Sequence, residues 1–188
     1  IDKSFDGFAR AYPIIIIFSS VINSLITSSN EGYILSILIL ITNFMNHFMK
    51  EYIFRPIMGN KYFPILGYGI RPKGAINCGL FKNGRKSTSY GMPSGHSETS
   101  TFFSTYLILK IIFNDDLHLL YKIVSFIFLS FFPLLVMYSR VYWAKCHTLQ
   151  QVIAGGIIGI IFACIVYKYK NYIFEYDWCY KILRQNKK

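Results

Sequence analysis

Long apolar runs separated by polar segments dominate the pattern of this chain. A helix that crosses a bilayer needs about 17–25 mostly apolar residues, and five runs approach that length: Tyr12–Thr27, Tyr33–Met49, Ser100–Phe113, Leu120–Tyr138 and Val152–Tyr169. The runs do not alternate between apolar and polar residues, as half-buried strands do. The pattern therefore predicts an all-α fold, a polytopic transmembrane helix bundle with about five spans.

The segment between the second and third predicted helices, from about residue 50 to residue 95, is too long for a simple turn. Long loops inside compact domains are usually functional or disordered. This loop is rich in proline and glycine and carries aromatic residues that can anchor it, which favours a packed, functional loop that caps one membrane face. It also carries a cationic set: Lys50, Arg55, Lys61, Arg71, Lys73, Lys82, Arg85 and Lys86.

Composition adds a strong positive charge to this hydrophobic pattern. Hydrophobic residues make up 53% of the 188 residues, and the formal net charge is +11. Because the charges lie between the apolar runs and the chain contains no DNA- or RNA-binding motif, we expect a bilayer and not a nucleic acid as the partner. The predicted face with the long loop carries twelve Lys/Arg and the opposite face eight. The positive-inside rule would make the loop face cytoplasmic, but these charges can instead bind a ligand, so the membrane orientation stays open. The charge pattern assigns no oligomeric state.

The four cysteines, Cys78, Cys146, Cys164 and Cys179, show no CxxC or Cys/His metal-binding spacing. Cys164 lies within an apolar run, where it is expected to be a small core or lipid-facing residue. Cys78 and Cys146 flank the two polar segments described next. A disulfide between them stays open as an alternative, because spacing alone does not decide it.

The first polar island, Gly91–Glu98, has the sequence GMPSGHSE and lies at the predicted start of the third helix. Free backbone N–H groups and the positive end of the helix dipole suit such a position to an anion. Gly95 permits close approach, Ser94 supplies a hydroxyl donor, and His96 can give a proton to a departing oxygen. The alternative is an ordinary Pro-Ser helix cap with an incidental histidine.

The second polar island, Ser139–Gln151, joins the fourth predicted helix to the fifth. Arg140 offers a fork of donors that suits phosphate oxygens. His147 can attack phosphorus when one ring nitrogen is held by a hydrogen bond and the other keeps its lone pair. Gln151, one helical turn later, can accept that hydrogen bond. An arginine and a histidine can also be interfacial anchors, but together the two islands favour a phosphate site.

These motifs resemble those of the membrane-bound type-2 phosphatidic acid phosphatase superfamily, which are KxxxxxxRP, PSGH and SRxxxxxHxxxD. Pro93-Ser94-Gly95-His96 matches the second motif, and Ser139, Arg140 and His147 match most of the third. GMPSGHS followed by SRVY and HTLQQV looks most like the dolichyl diphosphate phosphatase branch, in which Gln replaces the last Asp. The resemblance covers roughly residues 43–160.

The resemblance implies a role for each matching residue. His147 would be the nucleophile that forms a phosphohistidine, His96 the general acid, and Gln151 the residue that orients His147. The phosphate oxygens would be held by Lys50, Arg71, Ser94, Gly95 and Arg140. The family chemistry needs no metal ion and no other cofactor.

The first motif departs from the family spacing. Lys50 precedes Arg55-Pro56 by five residues and Arg71-Pro72 by twenty-one. Arg71 is preferred because it lies nearer to PSGH, with residues 51–70 as an insertion, and Arg55 stays the alternative.

The third motif contains one extra residue. Six residues separate Arg140 from His147, where the family pattern has five. We therefore expect a bulge near Lys145–Cys146 to absorb the difference.

The expected molecule is a single membrane-embedded phosphatase domain over residues 1–188, with a catalytic core at about 43–160 and a C-terminal tail at 169–188. We expect it to hydrolyse a polyisoprenyl diphosphate of the dolichyl type in the endoplasmic reticulum membrane. Phosphatidic acid or another lipid phosphate is the alternative substrate. A non-catalytic membrane protein that retains the fold is the alternative of another class.

Overall fold

A computed structural model of the chain describes residues 2–80 and 86–174. Within these ranges the chain forms α-helices and one two-stranded sheet. In chain order the elements are α1 (Asp2–Thr27), α2 (Glu31–Phe48), α3 (Arg55–Met58), β1 (Tyr62–Phe63), β2 (Gly67–Tyr68), α4 (Gly95–Ile112), α5 (Leu119–Tyr138), α6 (Leu149–Lys168) and α7 (Lys170–Phe174). Two short π-helical segments extend α2 and α5: Met49–Phe54 and Ser139–Trp143.

Each of the five apolar runs forms a long helix, so the prediction of a transmembrane helix bundle is confirmed. Four helical stretches in the described residues are long and apolar enough to cross a membrane: Phe5–Thr27, Glu31–Met58, Leu119–Trp143 and Leu149–Lys168. α4 is not among them, because its first turns hold the polar run from Ser97 to Thr101.

The first helix begins at Asp2, not at Tyr12 as the apolar run predicted. Ala9 and Arg10 in the added turns are buried. An ion pair one helical turn apart supports this segment, with Asp6 Oδ2 2.7 Å from Arg10 Nε. The sequence interpretation began the helix where the apolar residues begin, and so it missed turns that are stabilised by polar contacts.

α4 lies at the centre of the bundle and packs mainly against α6 and α5. Phe102 and Tyr106 of α4 are buried in the main hydrophobic core. Glycines on α6 allow the two helices to approach closely, as small residues do in membrane bundles. A Cβ atom at Gly155 would overlap with the Ser94 carbonyl oxygen, and Gly159 is equally close to the backbone of α4 one turn later.

Large apolar side chains cover the outside of the bundle. Phe18, Phe44 and Phe128 are 62%, 69% and 60% exposed. Soluble monomers rarely expose extended apolar surfaces of this kind, whereas a bilayer solvates them. The exterior therefore agrees with an integral membrane protein.

The long basic loop folds over the end of the bundle at which α4 begins. It contains a short antiparallel hairpin, in which Tyr62 lies opposite Tyr68; this is a small departure from the all-α prediction. The Tyr90 hydroxyl ties the loop to the end of α3 by donating to the Gly59 carbonyl oxygen at 2.8 Å. Two predicted features lie outside the described residues: Lys82 and Arg85 of the cationic set, and residues 175–188 of the tail.

A disulfide joins Cys78 in the loop to Cys146. Of the two alternatives that the sequence left open, the bonded one is observed. The two Cα atoms are 6.3 Å apart. Cys164 is a free cysteine on α6, and Cys179 lies outside the described residues. The disulfide therefore connects the loop to the residue that precedes His147.

Candidate active site

The predicted site residues come from separate segments and meet at one end of the bundle. Lys50 and Arg140 lie in the two π-helical segments, at the ends of α2 and α5. Arg71 lies in the loop, His96 in the first turn of α4, and His147 just before α6. Short π-helical segments are frequent at functional sites. Here they hold two cations that are only 8% and 0% exposed, Lys50 and Arg140.

A local turn at Lys145 accommodates the extra residue of the second polar island. Its φ angle of 50° lies in the left-handed region. The backbone N–H groups of Cys146 and His147 donate to the Arg140 carbonyl oxygen at 3.0 and 3.3 Å. The predicted bulge is therefore confirmed, and it keeps His147 next to Arg140 despite the six residues between them.

Gln151 orients the imidazole of His147. Its amide nitrogen donates to the carbonyl oxygens of Tyr68 and Ile70 at 2.9 and 2.7 Å, so its amide oxygen faces the ring. Gln151 Oε1 lies 2.9 Å from His147 Nδ1, and a carbonyl-type oxygen can only accept a hydrogen bond. Nδ1 therefore carries the proton, and Nε2 keeps its lone pair.

Arg71 approaches this lone pair, whereas Arg55 does not. Arg71 Nη1 lies 3.1 Å from His147 Nε2 and donates to the Cys146 carbonyl oxygen at 3.0 Å. Ser89 holds the rest of the guanidinium, accepting from Nε at its carbonyl oxygen and from Nη2 at its hydroxyl. The Arg55 side chain is 55% exposed and forms a surface ion pair. The fold thus brings Arg71 to His147, whereas Arg55 only lines a cavity that it shares with Arg71 and Ser89.

The surroundings of His147 favour its neutral form. Burial lowers the pKa of the His147 imidazole well below 6.5, and the positive charges of Arg71 and Lys50 lower this pKa further. Burial also lowers the pKa of Arg71 to about 10, which leaves its guanidinium charged at neutral pH. A neutral imidazole beside fixed cations suits a phosphate anion.

The PSGH turn is packed between α2 and α6. The Ser94 backbone N–H donates to the Gln151 carbonyl oxygen at 3.0 Å. A Cβ atom at Gly95 would lie 2.8 Å from Asn46 Oδ1, closer than a side chain tolerates. A larger residue at this position would have to displace the Asn46 amide, which donates to Glu98, or move the first turn of α4 away from α2.

His96 lies among the same cations as His147. Burial lowers the pKa of the His96 imidazole, and the positive charges of Arg140, Lys50 and Arg71 lower this pKa further, to about 3. Its Nε2 atom is 3.4 Å from a backbone carbonyl oxygen of α1. The two histidines singled out in the sequence therefore share one cationic site.

Protein oxygens bind both terminal nitrogens of the Arg140 guanidinium, but none of the described residues binds its Nε atom. Its Nη1 donates to the Cys78 carbonyl oxygen at 3.1 Å. Its Nη2 donates to Ser139 Oγ at 2.9 Å and to Asp6 Oδ1 at 3.2 Å. Its Nε is buried and has no hydrogen-bond partner among the described residues. A buried donor without an acceptor is costly, and a phosphate oxygen is an acceptor that suits a guanidinium.

The sequence interpretation missed Asp6 and Arg10, because both precede the first apolar run. Their four-residue spacing is typical of an ion pair on a helix surface and could have extended the predicted helix. Nothing in the local sequence links Asp6 to Arg140, which lies far along the chain. This contact depends on how α1 packs beside the end of α5.

One group of potential metal ligands is close together in the described part of the chain: Cys78, Cys146 and His147. The two sulfurs are bonded to each other. A metal ion binds the thiolate form of cysteine, so this group does not form a metal site in the oxidised protein.

Comparisons with known proteins point to one family. The chain matches the family model described as PAP2 superfamily over residues 31–175. It is 40% identical to dolichyldiphosphatase 1 of Dictyostelium discoideum over 101 residues, which cover 51% of this chain and 42% of that protein. It is 41% identical to dolichyldiphosphatase 1 of Homo sapiens over 83 residues and 38% identical to dolichyldiphosphatase of Saccharomyces cerevisiae over 82 residues.

The similarity to these relatives is partial. The human and yeast matches cover 40% and 43% of this chain and 34% of each relative. The matched segments thus span less than half the length of each curated relative. No solved structure matches the chain.

Proposed function

Because the chain belongs to the PAP2 superfamily, we propose that it hydrolyses a polyisoprenyl diphosphate of the dolichyl type through a phosphohistidine. The names of its relatives support the diphosphate as substrate. The cationic site at the end of an apolar bundle supports a lipid that carries phosphate. The chemistry of the two histidines supports the covalent route.

In the first step, His147 Nε2 attacks the terminal phosphorus of the diphosphate. A P–N bond forms, the bond from this phosphorus to the bridging oxygen breaks, and the lipid monophosphate leaves. His96 donates a proton to the bridging oxygen. Burial and the neighbouring cations lower the pKa of its imidazole to about 3 in the free site, so this step requires the bound diphosphate anion to raise that pKa. Arg71, Lys50 and Arg140 bind the other phosphate oxygens and stabilise the charge of the transition state.

In the second step, water attacks the phosphohistidine. His96 accepts a proton from the water, the P–N bond breaks, its electron pair returns to His147 Nε2, and orthophosphate leaves. Gln151 holds Nδ1 in both steps, although an amide cannot offset the charge of an imidazolium as a carboxylate does. Ser94 and Gly95 add a hydroxyl and the backbone N–H groups of the helix start.

The observation that carries this proposal is the pair of contacts on the His147 ring. Gln151 fixes the proton on Nδ1, and the Arg71 guanidinium lies beside the lone pair of Nε2. A phosphoryl group bonded to Nε2 would therefore have a cation at its oxygens. A non-catalytic protein that only bound anionic lipid would not need a histidine held in one tautomer.

The disulfide supports a location for the site. Disulfides form and persist in oxidising compartments such as the lumen of the endoplasmic reticulum. Cys78 and Cys146 lie on the same end of the bundle as the histidines. We therefore propose that the protein resides in the endoplasmic reticulum membrane with its active site on the lumenal face.

Phosphate release by the purified protein in detergent tests the proposed reaction. We expect a higher kcat/KM with polyprenyl diphosphate than with phosphatidic acid. His147→Ala should lower kcat by at least about a thousandfold, whereas His47→Ala, which changes an exposed histidine on α2, should leave it unchanged. A preference for phosphatidic acid would favour the alternative substrate. Wild type that releases no phosphate from either lipid would favour the non-catalytic alternative.

A further inference from the structure

α1 brings a carboxylate to the guanidinium of Arg140. Asp6 Oδ1 accepts from Arg140 Nη2 at 3.2 Å and from Ser139 Oγ at 3.1 Å. The family match begins at residue 31, so this contact comes from a helix outside the matched segment. We propose that Asp6 is a positioning residue that fixes Arg140 in its phosphate-binding orientation; the proposal rests on the phosphatase function proposed above.

The contacts of Arg140 divide its donors into two groups. Protein oxygens hold both terminal nitrogens, Nη1 through the Cys78 carbonyl and Nη2 through Ser139 and Asp6. These bonds set the plane of the guanidinium. The remaining donor, Nε, is buried without a partner among the described residues. Asp6 therefore binds Nη2, a nitrogen that the protein already holds, and the Nε–H group stays available to bind a ligand.

Asp6 is itself fixed by Arg10. Arg10 Nε donates to Asp6 Oδ2 at 2.7 Å, and Arg10 Nη1 donates to the carbonyl oxygens of Asn77 and Gly79 at 3.0 and 3.2 Å. These two residues flank Cys78, whose carbonyl oxygen is the other anchor of the Arg140 guanidinium. α1, the loop and Arg140 are therefore joined in one network, and the carboxylate has little freedom to move.

The charge of Asp6 matters as much as its position. The carboxylate lies between two buried cations, since Arg10 is 4% and Arg140 is 0% exposed. Without it, the two guanidinium groups would repel each other and Arg140 would lose its charged anchor. A displacement of about 1 Å at a group that positions substrate can slow catalysis by about 100-fold. Loss of the carboxylate is therefore expected to act on the reaction through Arg140.

Competition with substrate is the opposite role for the same contact. A carboxylate that occupied the place of a phosphate oxygen on Arg140 would weaken anion binding, and its removal would strengthen it. The free Nε argues for positioning, because a phosphate oxygen can bind there while Asp6 stays on Nη2.

The test compares Asp6→Asn with Glu31→Gln in the purified full chain. Glu31 is a matched control because it also joins two helices through an ion pair, with Lys110, but it lies at the start of α2, the end remote from Lys50. Two quantities are measured for each variant. The first is kcat with polyprenyl diphosphate. The second is the affinity for orthovanadate, which has the shape and charge of phosphate; it is obtained from the rise in melting temperature as orthovanadate is added.

We expect Asp6→Asn to lower kcat by about 10- to 100-fold and to weaken orthovanadate binding by about tenfold. Glu31→Gln should lower the melting temperature without changing either quantity per folded molecule. Combined with Arg140→Gln, Asp6→Asn should cause no further loss of kcat, because residues that act through one another are not additive. Asp6→Glu, which restores the charge, should recover part of the lost activity.

Three results would overturn the positioning role: unchanged kcat and orthovanadate affinity in Asp6→Asn, tighter orthovanadate binding in that variant, or losses that multiply in the double variant with Arg140→Gln. If Asp6→Asn does not fold, Asp6→Glu replaces it, because it keeps the charge but moves the carboxylate by one methylene. It is then expected to lower kcat by about tenfold, again without further loss when it is combined with Arg140→Gln.

Wild type with neither activity nor orthovanadate binding would contradict the proposed function as well. If wild type is active and the Asp6 variant is equally active, only the positioning role of Asp6 is contradicted.

Discussion

The contacts of Gln151 explain why an amide stands where the family motif has an aspartate. Its nitrogen donates to two carbonyl oxygens of the loop, those of Tyr68 and Ile70, while its oxygen faces His147. An aspartate would have no donor to offer these carbonyl oxygens, and a buried acceptor without a donor is costly. The residue at position 151 therefore fits both the imidazole and the loop that covers it.

The pH dependence of catalysis should reveal the charge of Arg71 beside His147. In the proposed mechanism His147 attacks as the neutral imidazole, and burial together with Arg71 and Lys50 lowers its pKa. The acid limb of kcat/KM is therefore expected below pH 6.5. Arg71→Gln removes one of the positive charges that oppose protonation, so the pKa of His147 rises and the acid limb moves to higher pH. The same variant should lower kcat by about 100-fold, because it removes a donor to the transition state.

Arg55→Gln is the matched control for this prediction. Its guanidinium is largely exposed and paired with Glu51, so both the rate and the pH profile should match wild type. Titration of the substrate phosphate affects all three proteins equally and does not alter the comparison. An acid limb that stays in place or moves to lower pH in Arg71→Gln would contradict the proposed contact with His147.

At the scale of the helices, the α4–α6 contact holds the PSGH turn against the segment that carries His147. A Cβ atom at Gly155 would overlap with the Ser94 backbone, whereas one at Gly156 would meet the flexible end of Met137. We expect Gly155→Ala to force the helices apart, to cost about 1–3 kcal/mol of stability and to lower kcat. Gly156→Ala should be nearly neutral, because the Met137 side chain can move.

The melting temperature in detergent and the kcat of the two alanine variants check this prediction. Gly155→Ala should be the less stable and the less active. Equal behaviour of the two variants would show that the close approach of α6 to Ser94 does not position the site.

The disulfide links the loop to the second polar island, and its two cysteines also bind Arg140 and Arg71. The Cys78 carbonyl oxygen accepts from Arg140, and the Cys146 carbonyl oxygen accepts from Arg71. The variant with Ser at both positions should therefore lower kcat by about tenfold, since the two cations lose a fixed support. Cys164→Ser, which changes the free cysteine on α6, is the matched control. A double-serine variant as active as this control would contradict a supporting role for the disulfide.

The helices could be predicted from the sequence much better than their ends. Each apolar run became a helix, because every backbone polar group inside a bilayer needs a partner within its own segment. The bulge at Lys145 was also predictable, since one residue had to be absorbed between Arg140 and His147. The start of α1 was not, because its polar turns are stabilised by contacts with distant parts of the chain.

At the scale of the whole molecule, the bundle combines an apolar exterior with one cationic end. Exposed phenylalanines along the helices leave the bundle suited to lipid, while the residues proposed to bind phosphate are gathered where the loop caps it. The motifs PSGH and SRVY predicted which residues gather there. The sequence favoured Arg71 over Arg55 because Arg71 lies nearer to PSGH. Its contact with His147 depends on how the loop folds against the start of α6, and no local pattern contains that information.

The stereochemical course at phosphorus tests the covalent mechanism of the molecule. A polyprenyl diphosphate whose terminal thiophosphate carries two oxygen isotopes in a defined configuration would be hydrolysed in water labelled with the third isotope. The configuration of the released chiral thiophosphate would then be measured. Transfer to His147 and then to water involves two in-line displacements, so we expect net retention of configuration. Inversion would show a single direct attack by water and would contradict the phosphohistidine.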